Sequence, residues 1–295
     1  MMKLEQELFL KEFHISEERW REARLTWEEL ALIAEDFEKK RNEYIETAQK
    51  YSKILHQCSY VHSLSYRVKE TTHLMEKIIR KNPKYLREGN SISITNYDHY
   101  ITDLMGIRIL LLFKEDWSPV HDYLMDKFGD RLAEKAFVYI RSGDERSLYE
   151  GKIDIIEERP YRSAHYLVKT EEGPCIEIQV RTLYEEAWSE MDHKLRYPNN
   201  MSNEMLTEYM EIMNRVTGMA DEMGTFINSY IRNFEEAMSG GSFDDNEVYD
   251  FILHQIEKSS DEELKEAIRD KIRKASNYKE MKKTSALFAK MLKEL

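Results

Sequence analysis

The sequence predicts an α/β or α+β fold built around one sheet, with helical segments before and after it. Three observations predict this. A long amphipathic stripe runs from Leu30 to Leu55. Between Ile101 and Pro198, short apolar runs of strand length alternate with helical patterns. After Asn199 helical periodicity alone remains.

The totals bound the function before any motif is read. The chain has 295 residues, 41% of them hydrophobic and 34% charged, so it can build a packed core beneath a charged surface. No run of about 18 apolar residues is present, which predicts no membrane span. The start, "MMKLEQELFLKEF", carries charges throughout, so no secretory leader is expected. Cys58 and Cys175 are the two cysteines, too few for a disulfide scaffold or a zinc cluster. A reducing, cytoplasmic setting is expected. The net charge of −12 disfavours passive adhesion to membranes or long nucleic acids.

The first helix is predicted from Thr26, whose spacing to Glu29 is that of a capping box. Leu30, Ile33, Phe37, Tyr44, Ala48, Tyr51 and Leu55 then recur at helical intervals. A second helix is predicted over "RVKETTHLMEKIIRK". From Tyr66 to Glu88, Arg67, Lys69, Lys77, Arg80, Lys81, Lys84 and Arg87 face Glu70, Glu76 and Glu88, a cationic island in an acidic protein. "ITDLMGIRILLLF" ends in an apolar strand, Ile107 to Phe113. "DWSPVHDYLMDKFGDRLAEK" reads as a helix broken at Gly129, and "AFVYI" and "IDIIEE" as short strands. "LYEEAWSEMDHKLRY" reads as a helix ending before Pro198. Beyond it, Met205, Leu206, Met210, Met213, Val216, Met219, Ala220, Met223, Phe226, Ile227, Tyr230 and Ile231 step along a helix as a core or partner-helix face. "SGGSFDDN", Ser239 to Asn246, is predicted to be a linker before a helical tail, Glu247 to Leu295.

The chemistry concentrates in "PYRSAHYLVKTEEGPCIEIQVRT", Pro160 to Thr182. Two strands flank a Glu-Glu-Gly-Pro turn, as in an antiparallel hairpin. Side chains alternate across a strand. Tyr161, Ser163 and His165 therefore share a face, as do Glu177, Gln179 and Arg181. A plain solvated face is the alternative, although such faces usually carry Lys, Thr and Glu rather than His and aromatics. Asp103 stands just before the apolar strand. An acid there, opposite an acid on a neighbouring strand, suits Mg²⁺ held by one or two carboxylates plus substrate phosphates. Arg67, Lys69 and Lys77 suit polyphosphate, since Arg grips phosphate oxygens bidentately and Lys acts as a point charge. Together these parts suit phosphoryl-type transfer.

"RVKETTHLMEK", "ITDLMGIRIL", "YRSAH" and "IEIQVRT…AW…MDHKLRY" occur in this order. With them, Ser65 to Pro198 resembles the RelA/SpoT alarmone ((p)ppGpp) synthetase domain, of the small alarmone synthetase type. The resemblance implies an α+β fold, a mixed sheet of the nucleotidyltransferase-like kind flanked by helices. It implies an N-terminal helical region over 1–60, a synthetase domain over 61–200 and a C-terminal helical region over 201–295. The implied activity is that of a GTP diphosphokinase, which moves the β,γ-pyrophosphate of ATP onto the 3′-hydroxyl of GDP or GTP with Mg²⁺. Residue by residue, it implies ATP contacts at Arg67, Lys69 and Lys77. It implies acceptor-nucleotide contacts at Tyr161, His165, Gln179, His193 and Lys194, with Tyr161 stacking on the base. It implies a catalytic and metal role for Asp103 and Glu177. Arg108, Arg162 and Arg181 match motif arginines for which a structural role is an equal expectation.

Two positions depart from the family pattern. Arg159 and Pro160 stand before Tyr161 where Gly is usual, and His73 stands where Ser is common. Both bear on acceptor choice. The alternative is a toxin-type relative, restrained by an antitoxin, that transfers to the 3′ end of tRNA or to adenosine nucleotides. A decayed, non-catalytic scaffold is the third reading. No alarmone hydrolysis is expected, because His121-Asp122 and Asp192-His193 lack further ligands. Homo-oligomerisation through the C-terminal helices is the remaining expectation.

Overall fold

The computed structural model describes residues 2–141, 144, 146–157, 161–196, 203–240 and 266. Arg159, Pro160, most of the Ser239–Asn246 linker and nearly all of the Glu247–Leu295 tail lie outside them.

Helices α1 (Met2–Glu12), α2 (Glu17–Ala23) and α3 (Trp27–Leu55) open the chain. The α3 capping box forms as expected: Glu29 N donates to Thr26 Oγ1 at 3.2 Å and Thr26 N donates to Glu29 Oε2 at 2.8 Å. The apolar stripe of α3, from Leu30 to Leu55, is buried against β1, β2 and α4. Each large side chain so buried contributes about 1.5–3 kcal/mol.

The sheet has six strands, β1 (Ser63–Val68), β2 (Met105–Leu111), β3 (Phe137–Ile140), β4 (Asp154–Glu157), β5 (Ser163–Lys169) and β6 (Cys175–Thr182), in the order β1-β2-β6-β5-β3-β4. β2 pairs with β6, and β3 with β4, in parallel; the other neighbours are antiparallel. The mixed α+β sheet implied by the resemblance is the one observed. The strand pair β5–β6 is the expected hairpin, turned at Gly173 with φ 123°.

One expectation fails at β1. Arg67 and Val68 are not the start of a helix: they end an edge strand paired with β2, and α4 (Thr71–Arg87) begins after Glu70. The cause is β2 itself, whose apolar run needs a partner on each side. Ser63 to Val68 supplies its antiparallel neighbour despite the helical spacing of Leu64 and Val68.

The sheet has two unlike faces. Met105, Ile107, Ile109 and Leu111 of β2, Ile176, Ile178 and Val180 of β6, and Ala164, Tyr166 and Val168 of β5 point into the core. Helix α6 (Trp117–Phe128) adds Trp117, Val120, Leu124 and Phe128 to it. His121 belongs there too: its Nδ1 meets Tyr166 Oη at 2.9 Å and its ring stacks on Trp117. A four-residue helix, α5 (Tyr97–Tyr100), leads into Asp103.

Helices α7 (Leu183–Arg196) and α8 (Glu204–Gly240) follow the sheet and pack on each other. Only part of the expected apolar face of α8 is packed: Met210 is buried, and Leu206, Met213, Ala220, Met223 and Phe226 are half-buried. Met205, Tyr209, Ile212, Val216, Met219, Ile227 and Ile231 are exposed, while Met210, Asn214, Thr217 and Asp221 are buried. The buried stripe is polar because it meets the polar ends of the strands. Among the described residues no helix is long and apolar enough to cross a membrane.

Candidate active site

The second face of the sheet carries the candidate site, and strand register sets its layout. Arg67 of β1, Gly106 of β2 and Glu177 of β6 form one row across the strands. Ser65, Arg108, Gln179, His165 and Phe137 form the next. Gly106 leaves a flat floor between Arg67 and Glu177: a Cβ there would stand 3.5 Å from Arg67 Cγ and Nε.

Asp103 sits just before β2, beside this floor. Lys69 reaches it from the β1–α4 link and Lys77 from the second turn of α4. The two ammonium groups donate to the same oxygen, Oδ2, at 2.8 and 2.5 Å. Burial pushes Asp103 up, but Lys69 and Lys77 outweigh it and hold the carboxyl down at about 2. Oδ1 of the same carboxylate is buried and has no hydrogen-bond partner. Burial lowers the pKa of Lys69 against the pull of Asp103. Lys81, one turn beyond Lys77, is lowered too, by burial and then by Lys77. Here several desolvated cations share one buried anion, so the pocket has unspent positive charge.

Glu177 accepts from His165 Nδ1 at 3.1 Å. Burial raises the Glu177 carboxyl, yet the hydrogen bond and charge of His165 bring it below the usual carboxylate range. Asp103 acts on Glu177 from close enough to oppose that shift. An ionised carboxylate can only accept, so the shared proton sits on His165 Nδ1. His165 Nε2 is buried and unpartnered. The imidazole is held by aromatics. Phe137 stacks on it with centroids 5.1 Å apart and planes 5° from parallel, and Tyr139 and Tyr161 approach at 5.4 and 5.9 Å.

Tyr161 stands at the entrance to β5. Its hydroxyl accepts from Arg181 Nη2 at 2.9 Å, and the guanidinium lies 5.2 Å from the ring centroid. The same nitrogen donates to Gln179 Oε1 at 2.5 Å. Arg181 and Arg108 are both tied to Glu186 of α7, at 3.3 and 2.5 Å, and Arg108 also to Glu190 at 2.6 Å. These two arginines fasten α7 across the face.

The structure thus brings together Lys69, Lys77 and Asp103, and separately His165, Glu177, Gln179 and Tyr161, with Arg67 over Gly106 between the two groups. His193 and Lys194 are not drawn into either group. They lie further along α7 and line a cleft of about 650 Å³ with Glu190, Met191, His73 of α4, and Glu12 and Phe13 at the end of α1. Sequence reasoning missed the aromatic wall. The alternation of Phe137 and Tyr139 in "AFVYI" is the signal that could have found it. It counted Lys81 in the cationic island but did not assign it to the site, although Lys81 follows Lys77 at the i, i+4 spacing of one helix face.

Two carboxylates within electrostatic reach, one with an orphaned oxygen, fit a hard divalent cation that takes its other ligands from phosphates and water. Among the described residues no cluster of three acidic, His or Cys ligands forms, so the donor set suits Mg²⁺ better than a caged metal.

Residues 66–202 match the model of the region found in RelA / SpoT proteins. Among solved structures, small alarmone synthetase 1 from Bacillus subtilis aligns with a TM-score of 0.50 at 20% identity, over 66% of this chain and 97% of that one. The same protein bound to its product pppGpp gives 0.49 at 20% identity, over 67% and 99%. A GTP pyrophosphokinase family protein from Streptococcus pneumoniae gives 0.48 at 21%, over 70% and 98%. No curated protein matches. At such identity the first likeness is one of fold.

Proposed function

We propose, from the match of residues 66–202 to the region found in RelA / SpoT proteins, that the protein is an ATP-dependent pyrophosphotransferase. It moves the β,γ-pyrophosphate of ATP to the ribose 3′-hydroxyl of GDP or GTP, which makes (p)ppGpp. Residues 61–200 are the transfer unit in this reading, between residues 1–60 and 201–295. The observation that carries it is the pair Asp103 and Glu177 on either side of the β2–β6 ladder, with Lys69 and Lys77 bound to one of them.

Lys69, Lys77 and Arg67 bind the ATP phosphates, with Lys81 adding charge behind them. Tyr161 offers its ring to the acceptor base, and Gln179 and His165 line the same wall. His193 and Lys194, in their separate cleft, extend the acceptor side along α7. Asp103 Oδ1 and Glu177 would hold Mg²⁺, which when bound supplies positive charge to the phosphate oxygens. The acceptor 3′-oxygen attacks the β-phosphorus in line, the bond to the α-phosphate oxygen breaks, and AMP leaves.

The transition state of such transfers is loose and asks little of a base. Glu177, held ionised by His165, therefore serves as an oriented acceptor of the hydroxyl hydrogen. Lys69 and Lys77 stabilise charge on the phosphates without reorganising, because Asp103 already fixes them.

Incubation with labelled ATP, Mg²⁺ and, separately, GDP, GTP, ATP and deacylated tRNA tests the reading. Label on GDP or GTP, with AMP released in equal amount, is expected. Label on tRNA or ATP alone would replace it with the toxin-type activity, and no transfer at all would remove both.

A further inference from the structure

We propose that helix α8, which lies beyond the matched region, is part of the acceptor wall: Asn214 and Gly218 position Tyr161 by holding Arg162. This rests on the acceptor role given to Tyr161 above.

Tyr161 and Arg162 precede the first residue of β5, so the ladder does not hold them. Their side chains do. Arg162 is 6% exposed, and its Nη2 donates to both the backbone oxygen and Oδ1 of Asn214, each at 2.9 Å. Its Nε lies 3.8 Å from Asp144 Oδ2. A buried guanidinium needs such partners, because an unpaired one would cost several kcal/mol.

Gly218, one turn along α8, supplies the room. A Cβ at this position would stand 2.9 and 3.0 Å from Arg162 Nη1 and Nη2, so the guanidinium would have to shift. Glycine inside a helix costs about 1 kcal/mol relative to alanine. The space it leaves is what it contributes here.

The grip extends to the neighbouring strand. Continuing the β5–β6 register sets Thr182 opposite Arg162. Thr182 Oγ1 donates to Asp221 Oδ2 of α8 at 3.0 Å. Helix α8 thus holds both strands at the open end of the hairpin. On the other face of that same end stand Tyr161 and Arg181, joined at 2.9 Å. A shift of the Arg162 backbone carries Tyr161 with it. Lys69, Lys77 and Asp103 come from the β1–α4 link, α4 and the approach to β2, and both lysines are bound to Asp103. The effect should therefore fall on the acceptor and not on ATP.

The test is steady-state kinetics on the full chain with GDP or GTP as acceptor, joined to calorimetric binding of each nucleotide and a melting curve for each variant. Gly218→Ala and Asn214→Leu are expected to raise the acceptor KM and Kd about 10-fold, the scale of one lost charged hydrogen bond, while the ATP KM stays within about twofold. Asn214→Asp keeps an acceptor oxygen for Arg162 and is expected to restore the acceptor KM. Equal changes for both nucleotides, a fall in kcat alone, or no change would overturn the inference and leave the activity standing. A folded wild-type chain that neither transfers to nor binds a nucleotide would overturn both.

Discussion

The smallest consequential unit is the Asp103 carboxylate with its two lysines. Its folded pKa is depressed to about 2, from an ordinary 3.8. The stability this supplies is fully present above about pH 4 and is lost as pH falls through 2, roughly 2 kcal/mol in all. Urea unfolding at pH 5 and pH 2.5 should show Asp103→Asn to be less acid-sensitive than the wild type. At neutral pH the same substitution leaves two buried ammonium groups without their anion, and should cost about 3 kcal/mol. Glu177→Gln behaves differently. It keeps shape and, on the proposed function, removes the charge that orients the hydroxyl, so kcat should fall about 100-fold or more with the ATP KM little altered. Rates that survive this change would argue for a scaffold. Which residues would carry charge here was legible from type and spacing alone. Their pairing was not: two lysines on one oxygen depends on a strand end, a link and a helix meeting, and periodicity says nothing of that.

Among the elements, α8 is the one whose behaviour departs most from its pattern. Its apolar residues suggested a packed face, yet of them Met210 is buried and Met205, Val216, Met219, Ile227 and Ile231 are exposed, while the polar Asn214, Thr217 and Asp221 are buried. Patterning ranks faces by apolarity, and here the partner surface was itself polar, formed by Arg162 and Thr182. Burial, followed by the charge of Glu185, pushes Asp221 up to about 7. A carboxyl that binds its proton more tightly when folded loses stability as pH rises from its unfolded value near 4, and the loss is complete above about 7. Asp221→Asn should therefore raise Tm at pH 8 and flatten the stability curve between pH 4 and 7, by roughly 2–4 kcal/mol at most. A thermal melt at pH 5 and pH 8 checks the sign. At the N-terminal end, the α3 capping box was readable from Thr26 and Glu29, because caps are local. Thr26→Ala should cost about 1 kcal/mol in chemical denaturation.

For the whole molecule, the hairpin, the α3 stripe and the apolar β2 were legible because each is written in neighbouring residues. Strand order was not, because the parallel contact of β2 with β6 joins segments far apart in the chain. Amides of Ile107 and Ile178, central in that ladder, should exchange slowest, and those of the exposed edge strand β4 much faster, by native-state hydrogen exchange. The same ladder sets when activity can arise. Asp103 and Glu177 become neighbours only after the intervening strands have been made and the large loop between β2 and β6 has closed, an entropic step that distant pairings pay before any contact rewards them. On the proposed function, a nascent chain whose β6 is still unmade would therefore be inactive. An enzyme of this kind would draw on the cell's nucleotide pool only once β6 has left the ribosome and joined the sheet.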